Sequence, residues 1–271
     1  MLELKLVDAS EIEKAAHTLH RDGFVCIRDA LSPEELAAMR AGADRIVAEQ
    51  AAVSAPEEGN RGFARFSCGQ QIHEPEWLPL IDLPSTLPIV EAIFGSPSFK
   101  CTGAGGDYSR PGALIQALHS DMQTSLHDPS GQTSIRDWPT PFIVVSFLMC
   151  DFKKVNGATR IVPCTHRSRA DIPSLEAEPE WMKNSIICAP AGTAVIRDVR
   201  CWHGGTANNS DALRIMTCVE YYAPWFAMHR AANSMLPRAA YDTLSERAKE
   251  LCSDIVETDL SPWKKPDFRK E

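Results

Sequence analysis

Two stretches of the chain hold residue types that can do chemistry together. Gln116-Ala117-Leu118-His119-Ser120-Asp121 follows Gly112-Ala113-Leu114-Ile115, an apolar run of strand length. In an extended strand side chains alternate, so His119 and Asp121 share one face and Ser120 takes the other. An imidazole and a carboxylate placed this way can reach one metal ion, and a third ligand must come from elsewhere. His203, in Asp198-Val199-Arg200-Cys201-Trp202-His203-Gly204-Gly205, is the best candidate. Two histidines and one carboxylate on one side of an iron leave its other coordination positions open, as in non-haem Fe(II) oxygenases. Arg214 lies eleven residues further on, in the strand-like run Leu213-Arg214-Ile215-Met216. A buried guanidinium there could clamp a carboxylate through two parallel hydrogen bonds.

The elements that must position these residues are legible in outline. Ser10-Glu11-Ile12-Glu13 has the capping-box pattern, and Ile12, Ala15, Ala16 and Leu19 fall on one helical face that should stop near Gly23. Residues 24–27 then read as a short strand. Ser32-Pro33-Glu34-Glu35 opens a second helix, with Ser32 as cap and Pro33 at the first position, running to about Gln50. Residues 51–62 read as a polar loop and 63–84 as irregular, broken by Pro75, Pro79 and Pro84. A short helix is expected over 87–94, ended by Gly95. Strands are expected over 99–108, 113–121, 142–150, 159–162, 186–189, 194–197 and 213–222, with Asn156-Gly157 as the turn into the fourth of these. A terminal helix is expected over 238–252.

Helices first and many short strands afterwards indicate a mainly β sandwich or barrel buttressed by α-helices. No internal repeat, low-complexity tract or linker divides it, so residues 1–271 are expected to form one domain. Two long loops, 122–140 and 164–183, suit lids over the metal, since loops of this length in a compact domain are usually functional. The other reading is that they pack in the interface of a homodimer.

Together these pieces resemble the phytanoyl-CoA dioxygenase family of Fe(II)- and 2-oxoglutarate-dependent oxygenases. The resemblance covers most of the chain. It rests on Asp22-Gly23-Phe24-Val25, Leu31-Ser32-Pro33-Glu34-Glu35-Leu36, the Gln-x-x-His-x-Asp of 116–121, Asn156-Gly157-Ala158-Thr159-Arg160-Ile161-Val162-Pro163, and Trp202-His203-Gly204-Gly205-Thr206 with Arg214 after it. It implies a double-stranded β-helix, a jelly-roll-like, cupin-like barrel with iron at its open end. His119, Asp121 and His203 would bind Fe(II), and Arg214 the distal carboxylate of 2-oxoglutarate. Gln116 and Thr159 stand where relatives place an amide and a hydroxyl that contact the same cosubstrate. Many members carry Ser or Thr two residues after the distal histidine; here that position is Gly205. Tyr222 and Trp225 fall in a stretch that borders substrate in relatives, and Phe66 and Trp138 are further aromatic candidates. Halogenating relatives replace the metal carboxylate by a small residue. Asp121 is present, so O2-dependent hydroxylation, desaturation or related C–H oxidation of a small, largely apolar molecule is the expected chemistry, such as a specialised metabolite.

Composition narrows the field further. The chain has 271 residues, 44% hydrophobic and 24% charged, with net charge −8, which argues against a nucleic-acid surface. No apolar run is long enough for a membrane span, no polybasic patch suits a membrane surface, and the first residues lack the apolar core of a signal peptide. Nine scattered cysteines without a C-x-x-C pair argue against a disulfide framework or a paired-cysteine zinc site, and suit a reducing cytoplasm. There is no G-x-S-x-G elbow, and Gly103-Ala104-Gly105-Gly106 lacks the third glycine of a dinucleotide loop. Two other classes stay open on the residues alone, a metal-binding cupin-like isomerase and a non-catalytic ligand-binding barrel. Arg214 separates them from the oxygenase, because neither needs a clamp for a diacid.

Overall fold

The computed structural model describes residues 4–122, 128–227 and 234–267. Helix α1 (Ile12–Asp22) follows the edge strand β1 (Leu6–Val7) and ends at Gly23, whose left-handed backbone (φ 87°) a side chain would strain. Its start differs from expectation. Ser10 does not cap the helix; its hydroxyl and N–H both donate to Asp8 Oδ1, so the serine sits in a turn stabilised by that carboxylate. Helix α2 (Pro33–Ala51) starts as expected, with the Ser32–Glu35 capping box closed in both directions. Helix α3 (Leu87–Phe94) is also where the pattern placed it.

The sheet core comprises β2 (Phe24–Ile27), β3 (Arg65–Ser67), β4 (Lys100–Ser109), β5 (Phe142–Leu148), β7 (Ala194–Asp198) and β9 (Arg214–Tyr222), which with β1 form one seven-stranded sheet in the order β1-β2-β7-β5-β9-β4-β3. The second layer is built on β6 (Thr159–Ile161) and β8 (His203–Gly205), paired antiparallel. Bridges His119↔His203 and Arg160↔Ile186 add one extended segment on each side. Residues 113–121 and 186–189, expected as strands, are therefore extended segments held by isolated pairings. They run beside two three-residue strands, too short to carry a continuous ladder.

The two faces of the large sheet divide the labour by strand alternation. On β5, Ile143, Val145 and Phe147 are fully buried against the helices, in a core with Leu19 of α1, Met39 and Ile46 of α2, and Val90 of α3. Phe142, Val144 and Ser146 turn the other way and line a cavity between the layers. Strand β9 behaves likewise: Ile215, Val219 and Tyr221 join the core, while Arg214, Met216, Cys218, Glu220 and Tyr222 face the cavity.

Residues 63–84, expected to be irregular, contain β3 and bury Phe66, Ile72, Trp77 and Leu80. Three-residue strands with Pro-rich flanks leave no periodic signal. The expected C-terminal helix over 238–252 is two pieces, α6 (Arg238–Tyr241) and α7 (Glu246–Cys252), because Ser245 caps a new helix through Ala248 N–H. Two short helices, α4 (Glu180–Lys183) and α5 (Pro224–Ala227), complete the set.

The loops proposed as lids are tied to the barrel in their described parts. Arg200 and Asp198, both with fully buried side chains, form a two-pronged pair at 2.9 and 2.7 Å. Arg200 Nη1 also donates to Ile135 O and Trp138 O. Arg136 reaches Arg200 O at 2.7 Å and His166 O at 3.3 Å, and Arg169 pairs with Asp137, joining the two loops to each other. A lid movement of residues 135–138 would have to break these bonds; residues 123–127 of the first loop lie outside the described residues. Among the described residues, no helix is long and apolar enough to cross a membrane, and all nine cysteines are free.

Candidate active site

His119, Asp121 and His203 meet at one end of the cavity. His119 arrives on the extended segment whose N–H and C=O exchange hydrogen bonds with His203 on β8, both 2.9 Å, so the two imidazoles are brought side by side at 4.3 Å between centroids. Asp121 N–H donates to Val199 O at 3.1 Å, which keeps the segment extended through the carboxylate. Asp121 Oδ1 lies 3.7 Å from His119 Nε2 and 3.5 Å from His203 Nε2. The three ligand atoms all fall within 4.8 Å of one another.

The surroundings prepare these atoms for a cation. His119 Nδ1 faces Ala117 O at 3.3 Å and His203 Nδ1 faces Cys201 O at 3.0 Å. A carbonyl only accepts, so the proton belongs on Nδ1 and the Nε2 lone pair points to the shared centre. Burial, and then the Arg197 guanidinium, push the His203 imidazole down to about 3, which keeps it neutral. Burial alone would raise the Asp121 carboxyl, but the charge and hydrogen bond of Arg197 outweigh it and hold it well below the usual carboxylate range. Two imidazole Nε2 lone pairs and an ionised carboxylate on one side of a common point fit a divalent iron.

Arg197 is a site residue that sequence reading missed. It lies at the end of β7, lines the cavity, and donates from Nη2 to Asp121 Oδ2 at 2.7 Å. That bond occupies one carboxylate oxygen and leaves Oδ1, the atom nearest both imidazoles, for a metal. The signal was present. Arg197 closes the apolar run Ala194-Val195-Ile196 just as Arg214 enters one, and the reasoning applied to Arg214 applies equally here. Arg197→Leu is expected to weaken divalent metal binding about 10–100-fold, the usual cost of removing a partner that orients a ligand. Titration of the protein with Mn(II) checks this.

Arg214, which lines the same cavity, is buried. Its Nε donates to Gly157 O at 3.0 Å and its Nη1 to Asp107 O at 3.2 Å, with its guanidinium 5.3 Å from the Phe152 ring centroid. The turn that presents the Gly157 carbonyl needs glycine: φ is 77°, and a Cβ would lie 2.7 Å from Ser109 Oγ. Thr159, on the facing strand β6, lines the cavity with its hydroxyl 4.0 Å from the Met216 sulfur. Gln116 lines the cavity too, but its amide is committed to main chain. Oε1 accepts from Gly205 N–H and Nε2 donates to Arg61 O, both at 2.8 Å. It ties the 61–65 turn, the metal-bearing segment and β8 together.

The cavity has a volume of about 510 Å³, ordinary for a metabolite site. Its walls are mixed: Phe66, Phe142, Val144, Phe152 and Met216 supply apolar contact, and Arg61, Gln70, Asp107 and Glu220 are polar groups in addition to the metal cluster and Arg214. Of the four aromatic candidates, Tyr222 and Phe66 line it, the latter stacked on Tyr108 at 5.1 Å. Trp225 and Trp138 are not in its wall. Their rings pack against each other, tilted by 45°, at 5.2 Å and extend a chain of rings through Phe226 to Tyr222. Proximity in sequence to Tyr222 does not put Trp225 on the same face, because the strand gives way to helix α5 at Pro224.

Comparison with known proteins now decides the family. The phytanoyl-CoA dioxygenase (PhyH) family model matches residues 19–216, which hold all three metal-site residues and Arg214. The chain belongs to the phytanoyl-CoA dioxygenase family. That family is one of dioxygenases that use Fe(II), 2-oxoglutarate and O2. The chain is 27% identical over 179 residues to the dioxygenase af480 of Aspergillus fumigatus, covering 65% of this chain and 54% of that one. With the dioxygenase cdmA of Talaromyces verruculosus it shares 26% over 172 residues, covering 59% and 53%. The chain thus spans about half the length of these two relatives. In three dimensions it is similar to the epimerase SnoN, solved with Fe3+, alpha ketoglutarate and nogalamycin RO, with a TM-score of 0.59, 18% identity, and coverage of 79% and 84%. HygX from Streptomyces hygroscopicus, solved with nickel, 2-oxoglutarate and hygromycin B, gives a TM-score of 0.56 at 13% identity, covering 77% and 86%. The fold is the double-stranded β-helix of these enzymes.

Proposed function

We propose that the protein is an Fe(II)- and 2-oxoglutarate-dependent dioxygenase that oxidises a C–H bond of a small, largely apolar metabolite in specialised metabolism. One observation carries this reading: the His119–Asp121–His203 cluster and the buried Arg214 open onto the same cavity, which also has apolar wall residues. His119, Asp121 and His203 would hold the iron, and Arg214 would hold the far carboxylate of the cosubstrate. Bound Fe(II), 2-oxoglutarate and O2 would supply an oxidant for an unactivated C–H bond, with 2-oxoglutarate converted to succinate. The chain's own contribution is placement. Arg197 holds one oxygen of Asp121, the carbonyls of Ala117 and Cys201 fix the imidazole tautomers, and Phe142, Val144, Phe152 and Met216 give the cavity an apolar side for the substrate.

The substrate class is supported by the cavity and by its neighbours. Phe142, Phe152, Met216 and Tyr222 offer apolar contact, and the volume suits a compact molecule. SnoN and the carbocyclase SnoK come from nogalamycin biosynthesis. Incubation with Fe(II), ascorbate and 2-oxoglutarate should yield succinate, rising when an extract containing the substrate is added. That extract should then contain masses shifted by one oxygen or by loss of two hydrogens. No succinate under any condition would refute the reading.

A further inference from the structure

A carboxylate stands in the cavity wall at the level of the metal cluster. Glu220 of β9 lines the cavity and pairs with Val144 of β5, which in turn pairs with Arg197 of β7. Glu220, Val144 and Arg197 therefore form one row across the sheet, all three on the cavity face. Arg197 ends the row at the metal cluster, where it donates to Asp121 Oδ2. Two strand spacings, about 10 Å, separate the backbones of Glu220 and Arg197. Arg214 is further off, six residues away along β9 and so about 20 Å in an extended strand. Glu220 thus stands at metal level and apart from the proposed cosubstrate clamp.

The groups around Glu220 suit one kind of ligand. In the next row Tyr222 faces Phe142, with ring centroids 4.7 Å apart and planes at 88°, and both line the cavity. On the other side Gly103 of β4 is opposite Glu220, and a Cβ there would lie 2.5 Å from Gln70 Oε1. That oxygen accepts from Ala104 N–H at 3.2 Å, so the Gln70 amide is held over the glycine and closes the row. Side chains in adjacent rows of one face lie within reach of each other. Glu220 is therefore bordered by an aliphatic group, Val144, and by the rings of Phe142 and Tyr222. A hydrocarbon packed here would take water from the carboxylate and return no hydrogen bond to it. An alkylammonium matches the whole set, with its N–H groups donating to the carboxylate and its N-bound carbons against the rings.

We propose that Glu220 is the specificity-determining residue of the substrate site, and that the substrate is an amine, an otherwise apolar molecule with one basic nitrogen. Its ammonium group pairs with Glu220, and its carbon frame reaches from there to the metal cluster. This rests on the reading of the cavity as the site of a 2-oxoglutarate-dependent oxidation. The separation of Glu220 from Arg197 puts the oxidised carbon some bonds away from the nitrogen, and like charge at Glu220 turns carboxylic acids away.

The test uses an extract of the source organism, split on a cation exchanger at neutral pH into retained bases and a flow-through. Each fraction is added to the wild type with Fe(II), ascorbate and 2-oxoglutarate, and succinate is measured. The retained bases should raise succinate, and the flow-through should not. Glu220→Gln, which keeps the shape and removes the charge, should need at least about tenfold more of the retained fraction for half of the full response. Glu220→Asp should recover part of that loss. Calorimetry on the Mn(II)-loaded Glu220→Gln protein should give a 2-oxoglutarate affinity within about twofold of wild type. A response to the flow-through alone, to both fractions equally or to neither overturns the proposal. So does an equal response of Glu220→Gln and wild type to the retained bases. Loss of 2-oxoglutarate binding in Glu220→Gln would make the residue structural and also overturn it. If the wild type forms no succinate under any condition, the oxygenase reading itself falls; if it forms succinate in response to the flow-through alone, that reading stands and this proposal alone fails.

Discussion

His203→Ala is expected to abolish tight metal binding and, with it, all 2-oxoglutarate turnover. His203 would supply one of three protein ligands, and its Nε2 lies 3.5 Å from the Asp121 oxygen it would share a metal with. Removing the partner of a ligand already costs about 10–100-fold in affinity, so deleting the ligand itself should cost more. The imidazole is buried and accounts for one hydrogen bond, to Cys201 O, so the variant should keep its fold. Metal content after reconstitution with Fe(II) and removal of excess, read beside far-ultraviolet circular dichroism, separates the two outcomes. The same loss is expected for His119→Ala and Asp121→Ala. Unchanged iron content in all three folded variants would place the metal elsewhere.

Arg214→Ala is expected to weaken 2-oxoglutarate by about 2–5 kcal/mol, the cost of truncating one partner of a buried charged pair. That is about 30-fold or more in Kd, since each 1.4 kcal/mol is tenfold. Metal affinity should hardly change, because Arg214 contacts Gly157 O and Asp107 O and none of the ligands. Calorimetry on the Mn(II)-loaded protein measures both. Equal 2-oxoglutarate affinity in variant and wild type would remove the clamp from the account.

The site was legible where chemistry and local period coincide. His119 and Asp121 are two apart on an extended segment, His203 precedes two glycines, and Arg214 interrupts an apolar run. Each of these can be found without knowing which strands pair. Arg65 could not be placed that way, and Arg197, although it closes an apolar run, carries no local mark of the carboxylate it holds. Arg65 lies in a three-residue strand between a polar loop and a proline-rich stretch, where an arginine looks like surface. Its place in the cavity wall appears only when β3 pairs with β4 and its side chain reaches over Gly205, 140 positions further along the chain. Arg197 sits 76 residues from the carboxylate it holds. The same limit explains the fold errors. Periodicity finds long elements such as α2 and β9, whereas the short pairings that carry the metal segment are non-local, and a residue string has no local mark for them.

Strand β9 has a consequence for how this enzyme could change. Arg214, Met216, Cys218, Glu220 and Tyr222 occupy alternate positions of one strand and all line the cavity, from the buried Arg214 to Tyr222, which contacts Phe226 in the aromatic chain. The interleaved residues Ile215, Val219 and Tyr221 belong to the core behind the sheet. Point substitutions at 216, 218, 220 and 222 can therefore retune the wall position by position while the scaffold and Arg214 stay fixed. An insertion or deletion of one residue within the strand would turn every one of these side chains beyond it toward the core at once. Strand β9 is thus open to drift in residue type and closed to drift in length, and new substrates are reached along it by substitution alone.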